Sequence, residues 1–204
     1  MKTKLIAFAL LLLTSNSLAQ KLYVWCPEVQ APNPRRGFLE KEIIDLVIFD
    51  GRTLTNRSNV RCTPENTIAK LAEYVKFAYP SAIINVLDSD QYYRNAVADR
   101  ITIKIGISAY QAGFGADVKT GIGSVGGTVA VGIFPEGRWN ALTAYSVNIF
   151  DYRNGQEIRK TKDIYKTASR PNTGGYRTAR NILNSTYSEA NQELLFFIDG
   201  VFMN

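Results

Sequence analysis

The chain contains no histidine and only two cysteines, Cys26 and Cys62. An imidazole therefore cannot act as general base in a Ser-His-Asp or Cys-His arrangement, and the commonest metal ligand is missing. The acidic residues nearest expected strand ends are Asp45, Asp50, Asp88, Asp90, Asp99 and Glu65. A carboxylate-based hydrolase needs two carboxyls about 5–9.5 Å apart, a separation that sequence spacing alone does not show. Asp45 stands out because it interrupts an apolar run; its simpler role is a strand residue facing a sheet edge or a cation such as Arg52. No EF-hand-type carboxylate motif occurs to hold a cation. The sequence reading assigns no catalytic residue, no metal and no cofactor.

Gly121, Gly123 and Gly126 match G-x-G-x-x-G in letters. A phosphate-cradling turn needs a buried strand before it and a helix after it. Here Gly113, Gly115, Gly121, Gly123, Gly126 and Gly127 lead instead into Thr128–Phe134 (TVAVGIF), so the stretch reads as a loop or weak hairpin. Aromatic residues are the remaining candidates for binding. Trp25, Trp139 and tyrosines such as Tyr145 and Tyr176 could line a glycan-binding groove, although such rings more commonly serve sheets and interfaces. Arg138 and Trp139, after the Pro135-Glu136-Gly137 turn, are the most distinct pair, an exposed aromatic–arginine ligand patch.

The elements that would position these groups follow from periodicity. Ile43–Phe49 (IIDLVIF) is apolar on both faces and reads as a buried central strand, ended by Asp50-Gly51-Arg52. Thr63-Pro64-Glu65 combines a capping hydroxyl, Pro at the first helical position and an acid in the first turn. Ile68, Leu71, Ala72, Val75 and Tyr79 then follow helical spacing until Pro80. Ala82–Leu87 is a second strand, and Asp90 is placed to cap a short helix through Tyr92, Tyr93 and Val97. Ile101–Tyr110 alternates isoleucine with Thr102, Lys104, Gly106 and Ser108, predicting a half-exposed strand. Asn140–Tyr152 and Gln156–Thr167 bracket Arg153-Asn154-Gly155, a hairpin turn signal, and the second arm is rich in lysine, as suits an edge. From Tyr176, the spacing of Ala179, Ile182, Leu183, Thr186, Ala190, Leu194 and Phe197 predicts a long helix ending before Gly200. The order predicts an α+β fold: a two-layer sandwich with a mostly antiparallel mixed sheet and two main helices packed on one face.

Compartment is legible at the first residues. Lys2 and Lys4 precede the apolar run Leu5–Leu13, which is too short to span a bilayer, and Ser17-Leu18-Ala19 gives a small-x-small cleavage site. We read 1–19 as a signal peptide, 20–42 as an irregular N-terminal arm and 43–204 as a single α+β domain. In an oxidising compartment the only intramolecular pairing is Cys26–Cys62. Cys26 follows the bulky Tyr23-Val24-Trp25 and lacks a lipid-attachment context, so the expectation is an exported protein, periplasmic or secreted, not lipid-anchored. The charge, +6 for the full sequence and +4 once Lys2 and Lys4 are removed, is scattered, which argues against a nucleic-acid partner and supports at most a modest attraction to anionic surfaces. No stretch of the mature chain is long and apolar enough for a transmembrane helix.

The strings IIDLVIFDGRTLTN, PENTIAKLAEYVKFAYP and AIINVLDSD, with the later ALTAYSVNIFDYRNGQEIRK, resemble a bacterial envelope superfamily. It comprises the TolB N-terminal domain, the curli-secretion channel protein, lipoprotein activators of penicillin-binding proteins and auxiliary lipoproteins of lipid-transport systems. The resemblance spans roughly 43–197 and lies in element order and turn chemistry; the glycine-rich stretch 113–127 falls outside it. It implies a non-enzymatic accessory protein of the envelope, acting on another envelope protein. The alternatives are a glycan or peptidoglycan binder using Arg138 and Trp139, and a carboxylate-based hydrolase.

Overall fold

The computed structural model describes residues 22–28, 30–52, 54, 58–88, 100–115, 137–153 and 157–203. Among them the chain forms β1 (Leu22–Val24), β2 (Ile43–Asp50), β3 (Asn59–Val60), α1 (Pro64–Ala78), β4 (Ile83–Leu87), β5 (Ile101–Phe114), β6 (Arg138–Asp151), β7 (Ile158–Pro171) and α2 (Tyr176–Phe202).

β5, β6 and β7 make the long antiparallel half of one sheet. β5 meets β6 along its whole length, from Ile101↔Asp151 to Phe114↔Trp139, and β6 meets β7 from Arg138↔Pro171 to Asp151↔Ile158. The other edge of β5 is divided. Its first half, Ile101–Ile107, runs parallel to β2, which in turn carries β4 in parallel. Farther along, Ala112 and Gly113 pair antiparallel with β1, which carries β3. A bulge between Ile107 and Ala109 lies between the two halves; an extra residue on one strand bends it and sharpens its twist. The sheet is mixed and mostly antiparallel, as expected, and both helices lie on one face.

Alternation builds the core. Ile101, Ile103 and Ile105 stand in register with Ile44, Leu46 and Ile48 of β2, and Ile103, Ile105 and Ile107 with Ile149, Val147 and Tyr145 of β6. All are buried. α1 lays Leu71, Val75 and Ala78 on this surface, and α2 adds Ile182, Leu183, Ala190, Leu194 and Ile198. Removal of each large side chain from water contributes about 1.5–3 kcal/mol. α1 starts as its sequence dictates, with the Thr63 hydroxyl accepting the Asn66 N–H at 3.2 Å and Pro64 first in the helix.

Three expectations are corrected. β5 is not half exposed: Thr102, Gly106 and Ser108 are buried together with the isoleucines. These small side chains belong to a central strand, with Asp45 and Phe150 flanking Thr102, and Phe49 and Ser146 flanking Gly106. α2 does not stop before Gly200 but continues to Phe202, its last turn closed by the Met203 N–H on the Asp199 carbonyl at 3.0 Å. Glycine costs a helix only about 1 kcal/mol, less than the packing of Phe197, Ile198, Val201 and Phe202 against the core returns. The arm is not irregular throughout, because Leu22–Val24 joins the sheet. The short helix after Asp90, the Thr128–Phe134 stretch, the Asn154-Gly155 turn and residues 1–19 lie outside the described residues.

Candidate functional site

At the end of the sheet where β1, β5 and β6 meet the start of α2, five aromatic rings gather. Trp139 of β6 stands opposite Phe114 of β5, ring centroids 5.3 Å apart and edge-on. Tyr23 pairs with Ala112, two residues before Phe114, and so projects on the same face as both. It meets the Trp139 ring edge-on at 5.6 Å, while Trp25 stacks on Tyr23 at 5.7 Å with the planes 10° apart. Tyr176 lies over both Tyr23 and Trp139, at 5.1 and 5.8 Å. The cluster has a buried base and an open rim: Trp139 and Tyr23 are 5% and 8% exposed, Phe114 and Tyr176 42% and 58%, and Trp25 is half-buried.

One carboxamide sets the geometry. Asn172 Oδ1 accepts the Trp139 indole N–H at 2.9 Å and the Gly175 N–H at 3.1 Å. Gly175 has φ +55°, a left-handed conformation that glycine adopts without penalty, and Tyr176 is the first residue of α2. The helix start and the buried indole are thereby fixed to one another. The hydroxyls of Tyr23 and Tyr176 are 3.3 Å apart. That contact, together with burial, pushes the Tyr23 hydroxyl up to about 12, so at neutral pH it donates and accepts hydrogen bonds but is no base.

The arm that carries Tyr23 and Trp25 is held at three points. Cys26 is bonded to Cys62, with Cα atoms 4.6 Å apart, inside the span a disulfide requires. Glu28 accepts from Arg180 and, at 3.2 Å, from Asn184 of α2. Arg35 Nε donates to Asp199 Oδ2 at 2.6 Å, and Asp199 Oδ1 accepts the Tyr79 hydroxyl at 2.7 Å. The pairing anticipated from the two cysteines is the one formed.

The remaining sequence candidates do not come together. Trp139 is buried, and Arg138, its neighbour on a strand, points to the opposite face; the two do not form one exposed patch. Asp45 is buried with Asn85 Nδ2 at 3.1 Å and Arg100 at 3.4 Å, so its cation is Arg100 rather than Arg52. Arg52 instead grips Asp50, with Nε 2.8 Å from Oδ1. Asp45 and Asp50 sit five positions apart on β2, on opposite faces and roughly 16 Å apart, beyond the reach of a glycosidase pair. Asp88 is exposed beyond β4, and Asp90 and Asp99 lie outside the described residues. Glu65 is exposed at the start of α1, where a backbone N–H and the Thr63 hydroxyl hold its carboxyl below the usual range. Among the described residues no three metal-ligating side chains gather. A strand read only to Tyr110 omits Phe114, whose signal is the alternation through Ala112 to Phe114.

No protein-family model matches the chain, and no curated protein matches it. Among solved structures it is similar to protein XCC0632 from Xanthomonas campestris, of family DUF330, at 11% identity over 84% of this chain and 91% of that one, TM-score 0.45. It is also similar to the hypothetical protein CT253 from Chlamydia trachomatis, at 9% identity over 80% and 99%, TM-score 0.49. A third is a putative lipoprotein from Caulobacter crescentus, at 9% identity over 76% and 90%, TM-score 0.32. Two expectations are corrected on these findings. The structures named here are a DUF330 protein, a hypothetical protein and a putative lipoprotein, none of them from the TolB, curli-channel or penicillin-binding-protein activator families; element order and turn chemistry define a class of fold rather than a lineage. The expectation of a chain without a lipid anchor is withdrawn, because a lipoprotein stands among the matches and bulky residues before Cys26 do not decide the question.

Proposed function

We propose that this chain is a non-enzymatic accessory protein of the bacterial envelope that binds another protein through the aromatic rim of Trp25, Phe114 and Tyr176. The observation that carries the reading is the pairing of exposed rings with a buried, hydrogen-bonded base. Tyr, Trp and Phe are enriched at interface cores, and anchors held rigid before binding lose little entropy on association. The Asn172 tie and the Cys26–Cys62 bond supply that rigidity, and the bond itself suits an oxidising compartment.

A photo-crosslinking residue replacing Tyr176 is expected to capture a discrete partner in intact envelopes, whereas the same residue replacing Lys70 on the outer face of α1 is not. Absence of an adduct at 176, or the same adducts from both positions, refutes the reading. A second reading, glycan binding, is favoured by the open faces of the rim rings. It predicts sedimentation with insoluble peptidoglycan that Tyr176→Ala abolishes.

A further inference from the structure

The solvent face at the end of α2 carries no charge. Between Leu194 and Met203 the sole ionisable carboxylate is Asp199, 8% exposed and turned inward onto Arg35 and Tyr79. Phe196, Gly200 and Met203 recur at i, i+4 and i+7, one stripe of the helix. Phe196 and Met203 are each 69% exposed, the most open large apolar side chains among the described residues. The start of β7 runs alongside, where Ile158, Lys160 and Lys162 project toward the helix. Together with Phe197 and Val201 they line a groove of about 610 Å³. Lys162 reaches Glu193 at 2.8 Å with its ammonium 5.9 Å from the Phe197 ring. Lys160 is exposed and makes no ion pair among the described residues.

We propose that this surface docks on the interface of an anionic phospholipid bilayer, with Phe196, Met203 and Ile158 entering the acyl boundary and Lys160 and Lys162 meeting lipid phosphates. Large apolar side chains on a helix, with lysines on the strand beside it, bring together the apolar and basic components of an interfacial membrane contact. The cations decide between lipid and protein. Protein interfaces are depleted in lysine and favour arginine, whose planar fork imposes geometry. An ammonium on a flexible stem lays its methylenes on apolar surface and meets phosphate as a point charge. The formal charge, +6 for the full sequence and +4 without Lys2 and Lys4 of 1–19, adds a modest long-range attraction of the same sign.

The test is sedimentation of the purified protein with vesicles of phosphatidylcholine mixed with phosphatidylglycerol, against vesicles of phosphatidylcholine alone. Binding to the anionic vesicles is expected, weakening with salt. Lys160→Gln should lower it about fivefold and Phe196→Ser about tenfold, with thermal unfolding unchanged because both side chains are exposed. Tyr176→Ala, in the aromatic rim, should bind vesicles like the unaltered chain. The proposal is overturned if neither vesicle is bound, if neutral vesicles are bound equally, or if anionic binding survives in both patch variants. Capture of a protein through Phe196 by a chain that ignores vesicles overturns it as well.

Discussion

Reduction of the Cys26–Cys62 bond should cost this protein a large share of its stability, and the size of the loss follows from the chain length enclosed. The two residues are 36 positions apart. Closing a loop of that length removes about 3.8 kcal/mol of unfolded-state entropy at room temperature. The folded state keeps its other ties to the arm, the β1–β5 pairing and the Glu28 and Arg35 contacts, so the loss falls on the unfolded ensemble. For a domain of this size, that corresponds to a fall in melting temperature of roughly 8–15 °C. The assay is equilibrium urea unfolding with and without a phosphine reductant, followed by tryptophan fluorescence and far-ultraviolet circular dichroism. The midpoint should fall and the slope with urea should rise, because the uncrosslinked unfolded chain exposes more surface. A loss under about 1 kcal/mol would refute the reasoning. So would thiol titration of denatured, unreduced protein that finds two reactive groups.

The buried base and open rim of the aromatic cluster should separate in stability. Trp139→Ala is expected to cost about 3–5 kcal/mol as a core truncation and Tyr176→Ala no more than about 1 kcal/mol; equal losses in urea midpoints would contradict the distinction. Asp199→Asn weakens the contacts to Arg35 and Tyr79 and should cost about 1.5–3 kcal/mol by the same measurement, with an unchanged midpoint as the failing result. Burial raises Tyr79, Tyr110, Tyr145 and Tyr187 above their ordinary value of 10. A raised folded value gives stability that is whole below pH 10 and lost as pH climbs beyond it, so phenolate absorbance from these residues should appear cooperatively with unfolding; gradual titration in a folded protein would count against their burial. The Arg153 hydrogen bond lowers Asp151, and hydrogen bonds from Lys162 and Lys166 lower Glu193. Their contribution is present above the ordinary carboxylate range and disappears as pH falls through the depressed values, so Asp151→Asn should flatten the acid limb of a stability–pH curve.

Periodicity made most of the scaffold readable. The isoleucine alternation of β5, the capped start at Thr63-Pro64 and the helical spacing after Tyr176 are local signals, and each names an element correctly. Failures occurred where the outcome depends on partners distant in sequence. Thr102 and Ser108 look like solvent-facing residues until β5 is known to be central, with β2 on one side and β6 on the other. Trp139 reads as an exposed anchor beside a turn, and only the strand pairing reveals that Phe114, Tyr23 and Tyr176 bury it. Asp45 in an apolar run reads as a partner for an edge or a cation, but the choice of Arg100 over Arg52 is set by tertiary geometry. The disulfide was legible for a simpler reason: two cysteines permit one intramolecular pairing.

The divided edge of β5 bears on how the chain folds. β1 is among the first described segments to leave the ribosome, yet its partner Gly113 lies 91 positions later than Leu22. Until β5 emerges, the only strand available to β1 is β3, a two-residue parallel neighbour. Such distant pairings form slowly because loop closure must precede the contacts that reward it. Once the chain is in an oxidising compartment, closing the Cys26–Cys62 bond before β5 pairs would hold β1 and β3 side by side as a ready-made unit. The long edge of β5 would then receive two prepared neighbours, β2 and the stapled β1, on either side of its bulge, leaving a shorter time in which Ala112 and Gly113 stand unpaired and open to another chain.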